Sequence, residues 1–322
     1  MQTTPPHIPV LYREVIDTFS SIEYGIVIDC TMGYAGHSSM ILEQNKNIKL
    51  IGIDQDQTAI DFSTKRLEPF KDRVEIRKGR FSTVIKDIIS EYGIENIRGV
   101  LADIGVSSLQ LDQKERGFSY ESDTLDMRMD KDAPLTASTI VNEYSLNELE
   151  KIILEYGELR NYKKIASIIV KERPFHSAKQ LSDTLKPHLP QGKKIHPATL
   201  LMQAIRIEVN DELGELKSLL KTIENAKFID TKVAIISFHS LEDRIVKQTY
   251  IAWSKNCICP PEAMRCECGK NHSLGKILTK KPVIAKENEL KEYEGQECPK
   301  CKKGKLVIRK SAYGSFVACD KF

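Results

Sequence analysis

The sequence lacks several features that would place it in a specialised class. It has a single tryptophan and 7% aromatic residues, so nothing indicates a sugar-binding cleft or an aromatic cage. No apolar run approaches the ~20 residues that span a bilayer. The first ten residues, MQTTPPHIPV, lack the basic segment and apolar core of a signal peptide, so we expect a cytoplasmic protein with reduced thiols. A hydrophobic fraction of 41% with 29% charged residues is ordinary for a globular chain.

Charge and cysteine are distributed unevenly along the 322 residues. Only Cys30 precedes position 257, and the other seven cysteines lie between Cys257 and Cys319. Residues 254–322 carry 15 basic and 8 acidic residues, a net charge of +7, whereas residues 1–253 carry 33 and 37, a net charge of −4. In a reducing compartment paired cysteines indicate metal binding or no special role, rather than disulfides.

The first hundred residues alternate short apolar runs with helical patterns, which predicts βαβ units of a parallel sheet. The helical patterns lie at Ser38–Glu43, Thr58–Leu67 and Val84–Tyr92. The apolar runs are Ile26–Asp29, Leu50–Asp54, Val74–Ile76 and Val100–Asp103, and a fifth, Val233–Phe238, follows after a long gap.

The gap reads as helical. Ser145 with Glu148, and Ser177 with Gln180, form predicted capping boxes. We therefore expect an α/β sheet domain interrupted by an all-helical inserted domain. The predicted divisions are 1–134 and 228–285 for the two parts of the sheet domain, 135–227 for the insertion, and 286–322 for a cysteine-containing tail.

The turn after the first run, Asp29 to Ser38, is rich in small residues and leads into a helix. Free amides at a helix start favour a polar or anionic ligand group. Asp54 ends the second run, where a carboxylate can accept both hydroxyls of an adenosine ribose. The pattern indicates an adenosine cofactor, either a nicotinamide nucleotide or S-adenosylmethionine. The alternative is a tight glycine turn with a solvated Asp54.

Asp103 ends the fourth run and is followed by Gly105 and by the small hydroxyls of Ser107 and Ser108. Ligands of open α/β sheets lie beyond the carboxyl ends of the strands. A nucleobase amine that loses a proton there needs an acceptor, and Asp103 is the candidate. The alternative is that Asp103 caps the turn after it.

Eight segments in order resemble the bacterial 16S ribosomal RNA (cytidine-N4)-methyltransferase family. They cover about residues 7–282. They are His7–Val15, Asp29–Ser38, Gly52–Asp56, Asp103–Asp112, Arg116–Tyr120, Leu125–Asp130, His196–Leu213 and Ile236–Lys247. The resemblance implies a Rossmann-like S-adenosylmethionine-dependent methyltransferase sheet with the helical insertion recognising substrate.

The resemblance also implies the site residues and the reaction. The cofactor contacts would be Ala35, Gly36, His37, Asp54, Phe81, Asp103 and Gln110. The implied reaction moves a methyl group from S-adenosylmethionine to the exocyclic N4 of one cytidine in 16S ribosomal RNA. Asp103 would be the catalytic proton acceptor or a cofactor contact alone. Ala35 stands where the family has glycine, and Leu109 where proline is common.

The expected partner is 16S ribosomal RNA within the small ribosomal subunit, and a homodimer is left open. RNA guidance is one interpretation of the basic residues in the insertion, and a solvated face is the other. Those residues are Arg160, Lys163, Lys164, Lys171, Arg173, Lys179, Lys193 and Lys194. For Arg116, Arg128 and Arg206 the alternatives are RNA phosphate contacts and internal ion pairs. His239 is left open, and Ser240 with Asp243 is expected to cap a helix.

The tail contains two groups of cysteines, and the sequence leaves the metal ligands unknown. Cys257-x-Cys259 and Cys266-x-Cys268 supply four thiols that could form a tetrahedral zinc site. Their spacing is tighter than that of usual zinc ligands, so a structural or unmetallated role is favoured. Cys298-x-x-Cys301, with Cys319, resembles a truncated zinc ribbon of type IA topoisomerases, one ligand short. A fourth ligand from elsewhere would be needed for zinc.

Overall fold

We analysed a computed structural model of the chain. It describes residues 9–107, 110–111, 113–189, 196, 198–260, 262–284, 295, 304–311 and 314–319. The chain divides into two compact units, one of residues 1–104 with 214–292 and the other of residues 105–213 with 293–322. In the part of the chain that the structure describes, no helix combines the length and apolarity needed to cross a membrane.

The strands of the first unit form one parallel sheet in the order β3-β2-β1-β4-β5. The predicted α/β class is confirmed, with each predicted apolar run on a strand. The strands are β1 (Gly25–Asp29), β2 (Ile48–Asp54), β3 (Val74–Lys78), β4 (Ile97–Asp103) and β5 (Lys232–Ile236). Because helices cover both faces, most residues of the central strands β1 and β4 are apolar and buried.

The helices follow the predicted periodicity, and their caps agree with the prediction in part. They are α1 (Tyr12–Phe19), α2 (Gly36–Gln44), α3 (Gln57–Arg66), α4 (Phe81–Tyr92), α5 (Ala137–Glu143), α6 (Leu146–Glu155), α7 (Tyr162–Lys171), α8 (Ala178–Leu185), α9 (Thr199–Asn210), α10 (Glu212–Ala226) and α11 (Ser240–Trp253). Short 3-10 turns occupy Glu68–Arg73, Ile94–Asn96, Lys114–Arg116 and Lys186–His188.

Two predicted capping boxes have different outcomes. Ser145 accepts the amide of Glu148 at 3.3 Å, and the Glu148 carboxylate accepts the amide of Ser145 at 2.8 Å, so this box is complete. Ser177 accepts the amide of Gln180 at 3.0 Å. The Gln180 side chain, however, accepts the amide of His176 instead of closing on Ser177. In the second box the side chain of Gln180 therefore bonds the amide of His176, one residue before the predicted partner Ser177.

The compact units divide at positions other than the predicted 134/135 and 227/228. Phe118, Leu125 and Met127 pack into the apolar core of α5–α9. In the first unit, Leu216, Leu219 and Ile223 of α10 pack against the sheet. The pattern of α10 is helical like that of the insertion, and helical periodicity shows only that a face is buried, not which core receives it.

Asn210 joins the loop before α5 to the end of α9 within the second unit. Its side chain donates to the carbonyl of Met127 and accepts the amide of Met129, both at 2.8 Å. A buried amide side chain with both ends satisfied fixes a loop without leaving a polar group unpaired. The loop of residues 117–129 is thereby held against the helices.

Two pieces follow the last helix. Residues 255–284 contain no helix or strand among those the structure describes. β6 (Leu306–Ser311) and β7 (Gly314–Cys319) pair antiparallel as a hairpin, with Leu306 opposite Cys319. Cys298 and Cys301 lie outside the described residues.

Candidate functional site

Three carboxylates end three neighbouring strands of the sheet: Asp29 on β1, Asp54 on β2 and Asp103 on β4. Asp29 pairs in register with Gly52 and with Leu101, so Asp54 and Asp103 lie two residues further along their strands. That is the level of Thr31, whose hydroxyl accepts the amide of Asp103 at 2.6 Å. Asp54 and Asp103 therefore flank the turn that follows β1.

The Asp29 carboxylate is buried and is satisfied by its own turn. It accepts the Ser38 hydroxyl at 2.6 Å and the Thr31 amide at 3.2 Å. Burial raises the pKa of Asp29, and the hydrogen bond from Ser38 opposes that rise. Because Ser38 belongs to the first turn of α2, Asp29 ties the end of β1 to the start of the helix. Asp29 therefore serves the framework of the site.

The turn between β1 and α2 has two residues with left-handed backbone, Gly33 (φ 52°) and Ala35 (φ 56°). At Gly36 a Cβ atom would lie 2.8 Å from Pro9 Cγ, so glycine is required there. The Ala35 methyl is fully buried in an apolar cluster with Met32 and Leu42. Alanine in place of the family's glycine is therefore accommodated by the core, at the ~1 kcal/mol strain of a left-handed residue.

Asp54 receives backbone donors on both of its oxygens. Oδ2 accepts the amide of Gly33 at 2.7 Å, and Oδ1 accepts the amide of Asp56 at 2.8 Å. Burial raises the pKa of Asp54 to about 6, although these two hydrogen bonds oppose the rise. A carboxylate has about four lone-pair sites, so each oxygen keeps capacity for one more donor. Asp54 can thus accept a pair of adjacent hydroxyls while still holding the turn.

Asp103 differs from the other two because part of its carboxylate is unused. Oδ1 is buried and has no hydrogen-bond partner among the residues that the structure describes. Oδ2 lies 3.7 Å from Nδ1 of His37. Burial raises the pKa of Asp103 to about 6; His37 opposes the rise, and Asp29 and Glu242 add to it. A buried acceptor without a donor is unfavourable unless a ligand supplies one.

His37 lies in the first turn of α2 and is buried, with its ring between Asp103 and the chain before α1. Nε2 lies 2.9 Å from the carbonyl of Val10. A carbonyl only accepts, so Nε2 carries the proton and donates it. Nδ1, the other ring nitrogen, is the atom that faces Asp103. The sequence predicted His37 only as a cofactor contact, and the position of its ring beside Asp103 was not predicted.

The other two predicted cofactor contacts are Phe81 and Gln110. Phe81 is the first residue of α4, directly after β3, and its half-buried ring packs against the core of the first unit. Gln110 belongs to the second unit. It accepts the Ser107 amide at 3.0 Å through Oε1, and its own amide donates to the Ser107 hydroxyl at 3.3 Å. Ser108, Leu109 and Asp112 lie outside the described residues.

The helix after β5 starts differently from the sequence prediction. The N-cap is His239, not Ser240, and the third helical residue is Glu242, not Asp243. The fully buried Glu242 carboxylate accepts the amides of Phe238 at 2.8 Å and His239 at 3.3 Å. Nε2 of His239 lies 3.0 Å from Oε1 of Glu242, but neither atom makes a well-aligned hydrogen bond. The missed signal was the glutamate three residues after His239.

Three arginines of the matched segments, Arg116, Arg128 and Arg206, are engaged inside the second unit. Arg116 is buried and donates to the carbonyls of Arg128 and Met129. Arg128 forms a bidentate pair with Asp126, and Arg206 forms one with Glu212, with N–O distances of 2.8–2.9 Å. The geometry favours the internal-pair interpretation over RNA phosphate contact.

Comparisons with known proteins agree with the resemblance noted above. Residues 4–302 match the model of the MraW methylase family, and residues 295–322 match a topoisomerase DNA-binding C4 zinc finger. A relative from Sulfurimonas denitrificans, named ribosomal RNA small subunit methyltransferase H, is 68% identical over 96% of this chain and 98% of its own. Relatives of the same name are 58% identical in Aliarcobacter butzleri, over 95% and 98%, and 54% identical in a Nitratiruptor species, over 94% and 97%.

Proposed function

The chain belongs to the MraW methylase family, and from that premise we propose that it is a ribosomal RNA methyltransferase acting on the small-subunit RNA. The reaction is transfer of a methyl group from S-adenosylmethionine to the exocyclic N4 of one cytidine in 16S ribosomal RNA. The observation that carries the proposal is the buried Oδ1 of Asp103, which has no donor within the described chain. An amine N–H entering that edge of the sheet would supply the donor.

The residues at the edge fit S-adenosylmethionine. Asp54 keeps one acceptor site on each carboxylate oxygen for the ribose hydroxyls. Gly36, which has no side chain, lies where the turn comes closest to Pro9. The first-turn amides of α2 have no partner within the helix and can receive the polar amino acid end. Phe81 and Gln110 are assigned beside the adenine and at the β4 loop by the family resemblance. When bound, the cofactor supplies a methyl group already activated on a sulfonium.

In this mechanism Asp103 prepares the nucleophile. The lone pair of a cytosine amine is delocalised into the ring, and an acceptor on its N–H helps to localise it on nitrogen. With a pKa near 6, Asp103 is ionised at neutral pH and can accept that hydrogen bond through Oδ1. The proton that N4 loses passes to this carboxylate, with Nδ1 of His37 3.7 Å from its other oxygen. The remaining contribution is alignment of nitrogen, methyl and sulfur.

The state of the RNA follows from the chemistry at N4. The amine is engaged in base pairing within a helix, so the cytidine must be unstacked and turned into the pocket. Single-stranded or exposed RNA makes this inexpensive. We propose the small ribosomal subunit as the form that carries the substrate. The cytoplasmic location and the homodimer stay predictions.

The proposed reaction predicts where the methyl group is found. Small subunits from cells lacking this protein, incubated with the enzyme and labelled S-adenosylmethionine, should acquire label on one cytidine of 16S ribosomal RNA. Nuclease digestion and mass spectrometry should return it as N4-methylcytidine. Label on carbon 5, on a ribose oxygen or on protein would overturn the proposed function.

Substitution of Asp103 should lower the methyl-transfer rate, whereas substitution of Asp54 should weaken cofactor binding. Asp103→Asn should lower the methyl-transfer rate by about 10² to 10⁴-fold and leave S-adenosylhomocysteine affinity within a few-fold. Asp54→Asn should weaken that affinity by about 10- to 100-fold, since a charge-assisted hydrogen bond is lost. The wild-type rate should fall below about pH 6 as Asp103 gains a proton.

Asp87→Asn, an exposed change on α4, is the control for both substitutions. Methyl-transfer assays quenched at set times give the rates, and calorimetry gives the affinities for S-adenosylhomocysteine. If Asp103→Asn loses affinity and rate in parallel, Asp103 binds the cofactor and does not act on the base.

We also propose that the inserted helices guide the RNA. Arg160, Lys163 and Lys164 are exposed at the start of α7 and form no ion pair with the residues that the structure describes. Two other basic residues that the sequence singled out in the insertion are already engaged. Arg173 donates to the carbonyls of Val141 and Tyr144, and Lys179 pairs with Glu121. The proposed RNA contact is therefore narrowed to the start of α7, since Lys193 and Lys194 lie outside the described residues.

Reversing the charge at this position should weaken RNA binding. Lys163→Glu with Lys164→Glu should raise KM for small subunits about tenfold without changing kcat. The dependence of log kcat/KM on log salt should flatten by up to about 2, one for each lost phosphate contact. Lys86→Glu with Lys217→Glu changes net charge equally at exposed positions of the first unit and is the control. Equal effects of the two pairs would contradict a local RNA contact.

A further inference from the structure

Four cysteine sulfurs converge in the segment after α11. Cys257, Cys259, Cys266 and Cys268 place their Sγ atoms within 4.8 Å of one another. Three of the pairs, Cys257 with Cys266, Cys257 with Cys268 and Cys266 with Cys268, are 3.6 Å apart. All four are free thiols at this separation. A disulfide would need about 2.05 Å between sulfurs, so the cluster is not a pair of disulfides.

We propose that these four cysteines bind one zinc ion as a structural site. A tetrahedron with Zn–S bonds of about 2.3 Å has sulfurs about 3.8 Å apart, close to the separation observed here. Tetrahedral sulfur-only coordination selects zinc or an iron–sulfur centre. In a cluster of two or more irons each iron takes only some of the sulfurs, which separates the rest more widely. A single ion therefore fits this packing better.

The two C-x-C arms explain how so tight a spacing supplies four ligands. In an extended arm alternate side chains lie on the same side, so Cys257 and Cys259 can present both sulfurs to one centre. The amide of Ile258, inside the first arm, donates to Cys268 at 3.4 Å. The amide of Glu267, inside the second arm, donates to Cys259 at 3.3 Å. Each arm thus donates an N–H to a sulfur of the other, and such donors stabilise thiolate charge.

Apolar burial does not hold this segment in place. Ile258 is 63% exposed, and Met264 is fully exposed. Residues 255–284 contain no described helix or strand. Ordering a segment without an apolar core costs conformational entropy, and a metal ion or a disulfide commonly compensates for that cost. Positive φ at Gly269 (79°) turns the chain directly after Cys268. A bound ion accounts for the convergence of two arms whose described apolar side chains, Ile258 and Met264, are exposed.

The cysteine segment is anchored to the end of α11. The Leu274 amide donates to the carbonyl of Trp253 at 2.8 Å, and the Ser273 hydroxyl reaches the same carbonyl at 3.3 Å. The His272 amide donates to the carbonyl of Asn256. Nε2 of His272 donates to the carbonyl of Cys268 at 2.7 Å. Trp253 is the single tryptophan of the chain. Its fluorescence therefore reports on the segment that the ion would organise.

The quartet shares no residue with the methyl-transfer site or with the cysteines of the tail. It lies within the first unit, beyond α11, and none of its ligands ends a strand of the sheet. Cys298, Cys301 and Cys319 belong to the region matched by the zinc-finger model. The proposal concerns only the earlier quartet, for which the sequence favoured a structural or unmetallated role.

Metal content of the full-length chain tests the proposal. Protein produced with added zinc and then desalted should contain zinc measured by inductively coupled plasma mass spectrometry. Cys257→Ser with Cys266→Ser should remove about one zinc per chain relative to wild type. Cys298→Ser with Cys301→Ser, the matched control, should retain at least one. Wild type without zinc, or equal zinc in wild type and the Cys257/Cys266 variant, would overturn the site.

A second measurement on the unaltered chain guards against a variant that does not fold. A strong chelator should shift the Trp253 emission, far-ultraviolet circular dichroism should change little, and added zinc should restore the emission. The same response should occur in the Cys298/Cys301 variant. Removal of zinc from wild type without any change at Trp253 would contradict a site in this segment.

Discussion

Burial of carboxylates at one edge of the parallel sheet is the constraint on which the site depends. Parallel strands bring their carboxyl ends together, and here Asp29, Asp54 and Asp103 end adjacent strands. The chain supplies donors for Asp29 from Ser38 and for Asp54 from Gly33. These donors also fix the turn and the start of α2. The hydrogen bonds that satisfy Asp29 and Asp54 therefore also shape the turn beside Asp103.

Asp103 is the exception, and the exception is useful. Its Oδ1 has no described donor, and burial raises its pKa towards 6. Such a group lowers stability at neutral pH, because the folded state must hold a charge that water would solvate better. In the proposed reaction the incoming amine supplies the missing hydrogen bond. Sites for chemistry are often where a local rule of stability is broken.

The strands, the carboxylates of Asp54 and Asp103 at the strand ends and the cap at Ser145 follow from the sequence, because hydrophobic periodicity and capping are local signals. Two features of the site do not follow. The ring of His37 meets Asp103 only because β4 pairs beside β1, which is a tertiary contact. The sequence offers two overlapping caps, Ser240 with Asp243 and His239 with Glu242, and only the burial of Glu242 selects the second.

The division of the chain and the cysteine quartet were hidden for similar reasons. A helical pattern covers α10 and the insertion alike, and only packing assigns Leu219 to the sheet. Spacing of one residue within each cysteine pair looked too tight for zinc. The sequence could not state that two arms would face each other and exchange amide–sulfur hydrogen bonds.

The most direct test of an unsatisfied, ionised Asp103 is the free energy of unfolding of wild type and Asp103→Asn, measured by urea denaturation from pH 4 to 8 without ligand. A folded-state pKa near 6, above the unfolded value, means that the folded protein binds a proton more readily. Wild-type stability from this group is therefore lost as pH rises from about 4 through 6. The account predicts that Asp103→Asn is more stable than wild type by about 1 to 3 kcal/mol above pH 7, with the difference closing towards pH 4. A variant less stable than wild type at pH 8 would contradict it.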